Sequence, residues 1–168
     1  MDYPFFMERA LEQAEKAMAR GDFPVGCVMI YRDTVILSSS RKNSLGGTVN
    51  EIDHAEIIAL RKLAAFRGKI DRNEITLFTT LEPCLMCFGA ILLSGIGRLV
   101  YAYEDVMGGA AMCDLSVLNP LYKDHDIAIV SNILRKESLK LFKAFFSNHD
   151  DNDYWKGSLL ARYTLAQL

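Results

Sequence analysis

No stretch of this 168-residue chain approaches the roughly 20 consecutive apolar residues that a membrane-spanning helix requires. Near its start, acidic Asp2 and Glu8 stand where a secretory signal would be basic and then apolar, so the chain is expected to be cytoplasmic. Cysteine is scarce. Of the four present, two lie only three positions apart, which suits a metal-ligating pair in a reducing compartment better than a disulfide framework. An excess of positive charge is also missing: the formal net charge is −2, so any contact with nucleic acid has to come from a local patch. Repeats and low-complexity tracts are absent. A hydrophobic content of 51% is ordinary for a globular protein, and the length suffices to bury a core, which points to one domain over residues 1–168.

What is present gathers around two stretches, His54-Ala55-Glu56 and, thirty residues on from the histidine, Pro83-Cys84-Leu85-Met86-Cys87. One imidazole and two thiolates can grip a small cation. Zinc suits that mixed donor set, and three protein ligands leave a fourth position for water, whose pKa zinc lowers to about 7. Glu56 is not needed to hold the ion, which makes it a candidate general acid and base. Each residue has a plainer explanation taken alone: a polar histidine, a glutamate answering a helix dipole, two buried thiols. Their conjunction favours the joint reading. A zinc-stabilised binding protein without activity would need a fourth side chain, such as Cys113 or His125, to close the site, and Glu56 speaks against it.

Periodicity assigns the elements. Apolar residues at Met7, Ala10, Leu11, Ala14, Ala17 and Met18 form a helical stripe over Pro4 to about Arg20, ended by Gly21. Val25 to Tyr31 reads as a strand buried on both faces, turned at Arg32-Asp33 into an antiparallel partner from Thr34 to Ser39. A polar loop from Ser40 to Asp53 leads into a helix over about His54 to Phe66. Ile75 to Thr79 is a third strand, and Leu81-Glu82-Pro83 turns into a helix beginning near Cys84, whose N-terminus directs positive potential at both thiolates. Strands at Arg98 to Tyr103 and Ile127 to Ser131 follow, with helices at Leu134 to Phe146 and about Tyr154 to Leu165. This alternation predicts a three-layer α/β/α domain around a mixed sheet of about five strands. Loops after strand ends line pockets in such sheets, so Glu104 and Asp105 are further site candidates.

H-x-E followed by P-C-x-x-C is the signature of zinc nucleobase deaminases. Together with Gly21-Asp22-Phe23-Pro24-Val25-Gly26, Asn43, Thr80-Leu81-Glu82 and Ile96-Gly97-Arg98-Leu99-Val100-Tyr101, it makes the chain resemble the cytidine and deoxycytidylate deaminase superfamily from about Asp22 to Phe146. Within that superfamily it is most similar to the bacterial tRNA adenosine deaminases. The resemblance implies a cytidine deaminase-like sheet ordered 2-1-3-4-5 with the last strand parallel to the fourth, one zinc on His54, Cys84 and Cys87, and Glu56 as the proton carrier. It also implies a homodimer and a wobble adenosine of tRNA flipped into the pocket and converted to inosine. Asn43, eleven residues before His54, would then hydrogen-bond the base; its spacing alone favours instead a loop asparagine bonding its own backbone, and the resemblance reverses that.

A second substrate class stays open: a free base or nucleoside of guanine, adenine or cytosine type. Asp150, Asp151 and Asp153 repel phosphate, while Arg135, Lys136, Lys140 and Lys143 offer either phosphate contacts or a solvated helix face. Trp155 or Tyr154, on the added C-terminal helix expected at about 154–165, could close over a small pocket. A Trp155 within a side chain's reach of the metal pocket favours a small substrate.

Overall fold

The computed structural model describes residues 1–44, 50–148 and 155–168. The Gly46-Gly47 pair, the acidic run from His149 to Asp153, and Tyr154 lie outside them.

Helix α1 (Tyr3–Ala19) opens on Asp2, whose side chain accepts from the Phe5 amide at 3.1 Å, and buries one stripe: Phe6, Met7, Ala10, Leu11, Ala14 and Ala17. It stops at Gly21, whose φ of +83° favours glycine. Strands β1 (Gly26–Tyr31) and β2 (Thr34–Ser40) form a hairpin whose two turn residues, Arg32 and Asp33, both have positive φ. Gly26 is where α1 crosses the sheet most closely, since a Cβ there would overlap the Ala10 carbonyl oxygen. Helix α2 (Ala55–Ala65) leads to β3 (Thr76–Leu81), helix α3 (Leu85–Leu93) to β4 (Arg98–Tyr103), and a four-residue helix α4 (Pro120–Lys123) to the short β5 (Ala128–Val130). Helices α5 (Arg135–Asn148) and α6 (Leu159–Ala166) close the chain.

The sheet order is β2-β1-β3-β4-β5, with β1 antiparallel to both neighbours and β3, β4 and β5 parallel, as the resemblance implies. Strand residues alternate between two apolar clusters. Val28, Ile30, Phe78, Val100 and Ala102 face α1, while Cys27, Met29, Leu77, Leu99 and Tyr101 face the layer of α2 and α3. Fully burying a side chain such as Phe78 stabilises the fold by about 1.5–3 kcal/mol. No helix among the described residues is long and apolar enough to cross a membrane.

Two expectations about element boundaries are corrected. β3 runs two residues beyond Thr79, because Leu81 still pairs with Tyr103 in the parallel ladder. The last helix starts at Leu159, not Tyr154: Gly157 has φ +67° and Ser158 caps α6, its hydroxyl accepting from the Ala161 amide at 3.1 Å. Trp155 therefore sits in the turn before α6 and not on it.

Candidate active site

The N-termini of α2 and α3 meet at the C-terminal ends of the parallel strands, where sheets of this kind place their sites. His54 is the N-cap residue of α2 and Cys84 that of α3, yet neither side chain caps its helix. Both are thus free to face each other. His54 Nδ1 lies 3.6 Å from the Cys84 sulfur and 3.5 Å from the Cys87 sulfur. For tetrahedral zinc, with Zn–N about 2.05 Å and Zn–S about 2.3 Å, the N···S edge is about 3.6 Å, so this donor set fits the ion in both chemistry and size. Among the described residues no further His, Cys, Asp or Glu joins these three ligand atoms, which lie within 4.8 Å of one another; Cys113 is exposed. The hydrogen bond from Cys87 lowers the Cys84 thiol to about 6, and the same bond, with burial, pushes Cys87 well up. A divalent cation competes directly for that thiolate.

Glu56, in the first turn of α2, is 3% exposed. Its Oε1 accepts from the Thr79 hydroxyl at 2.6 Å, and its Oε2 lies 3.7 Å from the Cys87 sulfur. Burial raises this carboxyl above the ordinary range, and the Thr79 bond opposes that rise. The arrangement is a buried carboxyl group, anchored by Thr79, next to the three clustered ligand atoms.

A cavity of about 200 Å³ opens over these groups, with His54, Glu56 and Cys84 in its wall. That is below the roughly 300–1,000 Å³ typical of sites for drug-sized ligands, and it suits a single heterocycle. Phe23 and Trp155 form an aromatic side. Their rings stack at 4.3 Å with planes 3° apart, and Trp155 is only 9% exposed. Trp155 is thus within a side chain's reach of the metal pocket.

The remaining sequence-predicted residues divide. Asp105 lines the cavity, its Oδ1 accepting from the amides of Met107 and Gly108 at 2.9 and 3.0 Å, and burial raises its pKa. Glu104 does not line it. Burial alone would raise the Glu104 carboxyl, but bonds from Arg135 and from the Tyr163 hydroxyl (2.7 Å) hold it below the ordinary range and tie β4 to α5 and α6. Asn43 is exposed with φ +55°, its carbonyl accepting from the Asn50 amide at 2.8 Å, and is outside the cavity wall.

Sequence reasoning missed four wall or supporting residues. Thr79 positions Glu56 and could have been suspected only as a polar side chain in a wholly buried strand. Glu82, two residues before Cys84, accepts from the amides of Asp105 (3.2 Å) and Ala111 (3.1 Å), folding the loop after β4 over the site. Gly109 lies against that carboxylate, so the Gly108-Gly109 pair was the available signal. Arg41 and Glu51, ion-paired at 3.1 Å, also line the cavity, and nothing in their local sequence marks them.

A family model described as the cytidine and deoxycytidylate deaminase zinc-binding region matches residues 2–103. The tRNA-specific adenosine deaminase of Rickettsia typhi is 36% identical over 140 residues, covering 83% of this chain and 95% of that protein. That of Bacillus subtilis is 31% identical over 142 residues, covering 84% and 86%. A solved tRNA:A34 deaminase superposes with a TM-score of 0.68 at 30% identity, covering 82% of this chain and 98% of that one. A guanine deaminase from Nitrosomonas europaea superposes with a TM-score of 0.62 at 22% identity over 83% and 81%, a likeness of fold alone.

Proposed function

Because this chain belongs to the cytidine and deoxycytidylate deaminase family, we propose that it deaminates adenosine to inosine at the wobble position of tRNA. It is a zinc-dependent deaminase, a hydrolase. The observation that carries the chemistry is the buried Glu56 carboxylate, bonded by Thr79 and set beside the His54, Cys84 and Cys87 cluster at the floor of a base-sized cavity.

When bound, zinc supplies a nucleophilic hydroxide at neutral pH. The protein's own groups do the rest. His54 and the two thiolates would hold the ion. Glu56 takes a proton from the attacking water and delivers it to the ring nitrogen beside the amine-bearing carbon. A carbon–oxygen bond forms there, the carbon–nitrogen bond breaks, and Glu56 passes a proton to the departing amine, so that water is consumed and ammonia released. Phe23 and Trp155 provide a flat apolar face for the ring, and Asp105 holds the loop across it. Asn43, exposed outside the wall, is assigned to the part of a polynucleotide that stays outside the cavity. On α5, Arg135 is engaged by Glu104 and Lys143 by the Gln167 carbonyl, which leaves exposed Lys136 and Lys140 for phosphate.

The position of Trp155 favours a second reading, a free base or nucleoside, since its ring helps enclose the cavity. Ammonia release from tRNA compared with free adenine, guanine and cytosine decides between the two. Glu56→Ala is expected to abolish turnover with zinc content unchanged; loss of the metal, or retained turnover, overturns the assignment.

Residues 1–168 are proposed as one deaminase domain that works in the cytoplasm as a homodimer. Leu85 and Leu93 on α3 and Val117, Leu118 and Leu121 nearby leave apolar surface exposed, the kind of face a partner protomer covers. Light scattering across a concentration range tests this, and a monomer at every concentration refutes it.

A further inference from the structure

Arg41 follows directly on β2 and is 3% exposed, unusual burial for a guanidinium. Its backbone is fixed on both sides: its amide donates to the Val25 carbonyl, and its carbonyl accepts from Arg20 Nη2, each at 2.8 Å. At the tip of the side chain, Nη2 donates to the Asn50 carbonyl at 3.2 Å and to Glu51 Oε2 at 3.1 Å. Nε is different. It is buried with no partner among the described residues, although the side chain lines the cavity that holds His54, Glu56 and Cys84. A buried donor left unmet is unfavourable, and a planar guanidinium pinned at one corner presents its remaining N–H in a fixed direction.

The surrounding charges narrow what Nε can meet. Glu51 already pairs with Arg41, and Glu56, Glu82 and Asp105 add three more carboxylates to the same wall. A phosphate would meet more negative than positive charge there, whereas a neutral heterocycle would not. We infer that Arg41 is a substrate-binding and specificity-determining residue, donating from Nε to an unprotonated ring nitrogen of the base, away from the carbon that loses its amine. In adenine, whose amine is on C6, the ring acceptors of that kind are N3 and N7; in guanine, whose amine is on C2 beside N3, only N7 qualifies. The inference rests on the deaminase reading above and holds for a base in RNA or a free one.

The test is equilibrium binding to zinc-loaded protein in a Glu56→Ala background, where nothing turns over. The probes are adenine, guanine and a wobble adenosine in an RNA hairpin, each with its 3-deaza and 7-deaza counterpart. One deaza form is expected to bind about 10- to 100-fold more weakly than its parent. Arg41→Met weakens the parent by the same factor and leaves that deaza form no weaker still. Arg41→Lys, which keeps the charge but not the planar fork, falls with Arg41→Met. Losses that multiply across all ligands would indicate only a structural role and overturn the inference, as would unchanged affinity in Arg41→Met. Should that variant not fold, equal affinity for parent and both deaza forms in the Arg41 protein overturns it alone. Turnover is scored separately: a wild type inactive on tRNA and on every free base refutes the deaminase reading, while the binding cycle still judges Arg41.

Discussion

Thr79→Val isolates what the bond to Glu56 contributes. Thr79 is wholly buried in β3, flanked across the sheet by Cys27 and Tyr101, and its hydroxyl reaches Glu56 Oε1 at 2.6 Å. Valine has nearly the same outline and suits a strand, so the sheet is kept while the donor disappears. A hydrogen bond to a charged group contributes about 1.5–3 kcal/mol, and if it orients Glu56 in the transition state, kcat falls by about 10- to 150-fold. Binding of the base does not use this hydroxyl, so KM should hardly move. Leaving the carboxylate short of a donor also destabilises the fold by about 1–3 kcal/mol, a drop in melting temperature of about 2–12 °C. Steady-state kinetics with zinc content measured on the same preparation reads all three, and Thr79→Ser, which restores the hydroxyl, should recover most of the rate. A Thr79→Val enzyme with wild-type kcat, or one whose KM rises while kcat holds, would show that Glu56 is positioned by something else.

Three further perturbations probe the frame around the site. Glu104 has a depressed pKa, so its contribution to stability is complete above the ordinary carboxylate value of about 4.3 and is lost as pH falls through its lower folded value. Glu104→Gln should therefore melt about 2–8 °C lower than wild type at pH 7, with the gap closing as the pH is taken below 4; a gap constant with pH would rule out the charged pairing with Arg135. Gly26→Ala places a Cβ into the Ala10 carbonyl and should destabilise by about 1–3 kcal/mol in urea unfolding, and a neutral result would mean that α1 can move off the sheet. Trp155→Ala removes the ring stacked on Phe23 and should lower stability by about 3–5 kcal/mol. Its kinetic signature separates the two substrates, because a rise in KM confined to free bases marks Trp155 as a cover for a small ligand.

How much of this was legible in the sequence depends on how far apart in the chain the interacting groups lie. His54 and Glu56 share one helix turn, and Cys84 and Cys87 share another, so spacing alone brings each pair to a common place. Only the thirty-residue separation of His54 from Cys84 had to be bridged, and that bridging follows from two helix N-termini meeting at adjacent strand ends. The sheet order, by contrast, came through the family likeness, because strands buried on both faces carry no register signal in their composition. Thr79, Glu82 and Arg41 were invisible for a related reason. Thr79 lies in a strand buried at all six positions, where a period-2 reading cannot say which face looks onto the site. Glu82 does its work through amides 23 and 29 residues away. Arg41 sits between Ser40 and Lys42 in a segment that reads as solvated loop, and only the fold turns it inward. The start of α6 is the opposite case. Gly157 followed by Ser158 is a stop-and-cap signal written in the sequence, and giving it more weight than the apolar spacing would have released Trp155 from the helix and left it free to reach Phe23. The residues that hold or move something at the site thus divide by contact range. Those set by local helix geometry can be read in advance, and those that close or tune the cavity depend on contacts that only the assembled sheet creates.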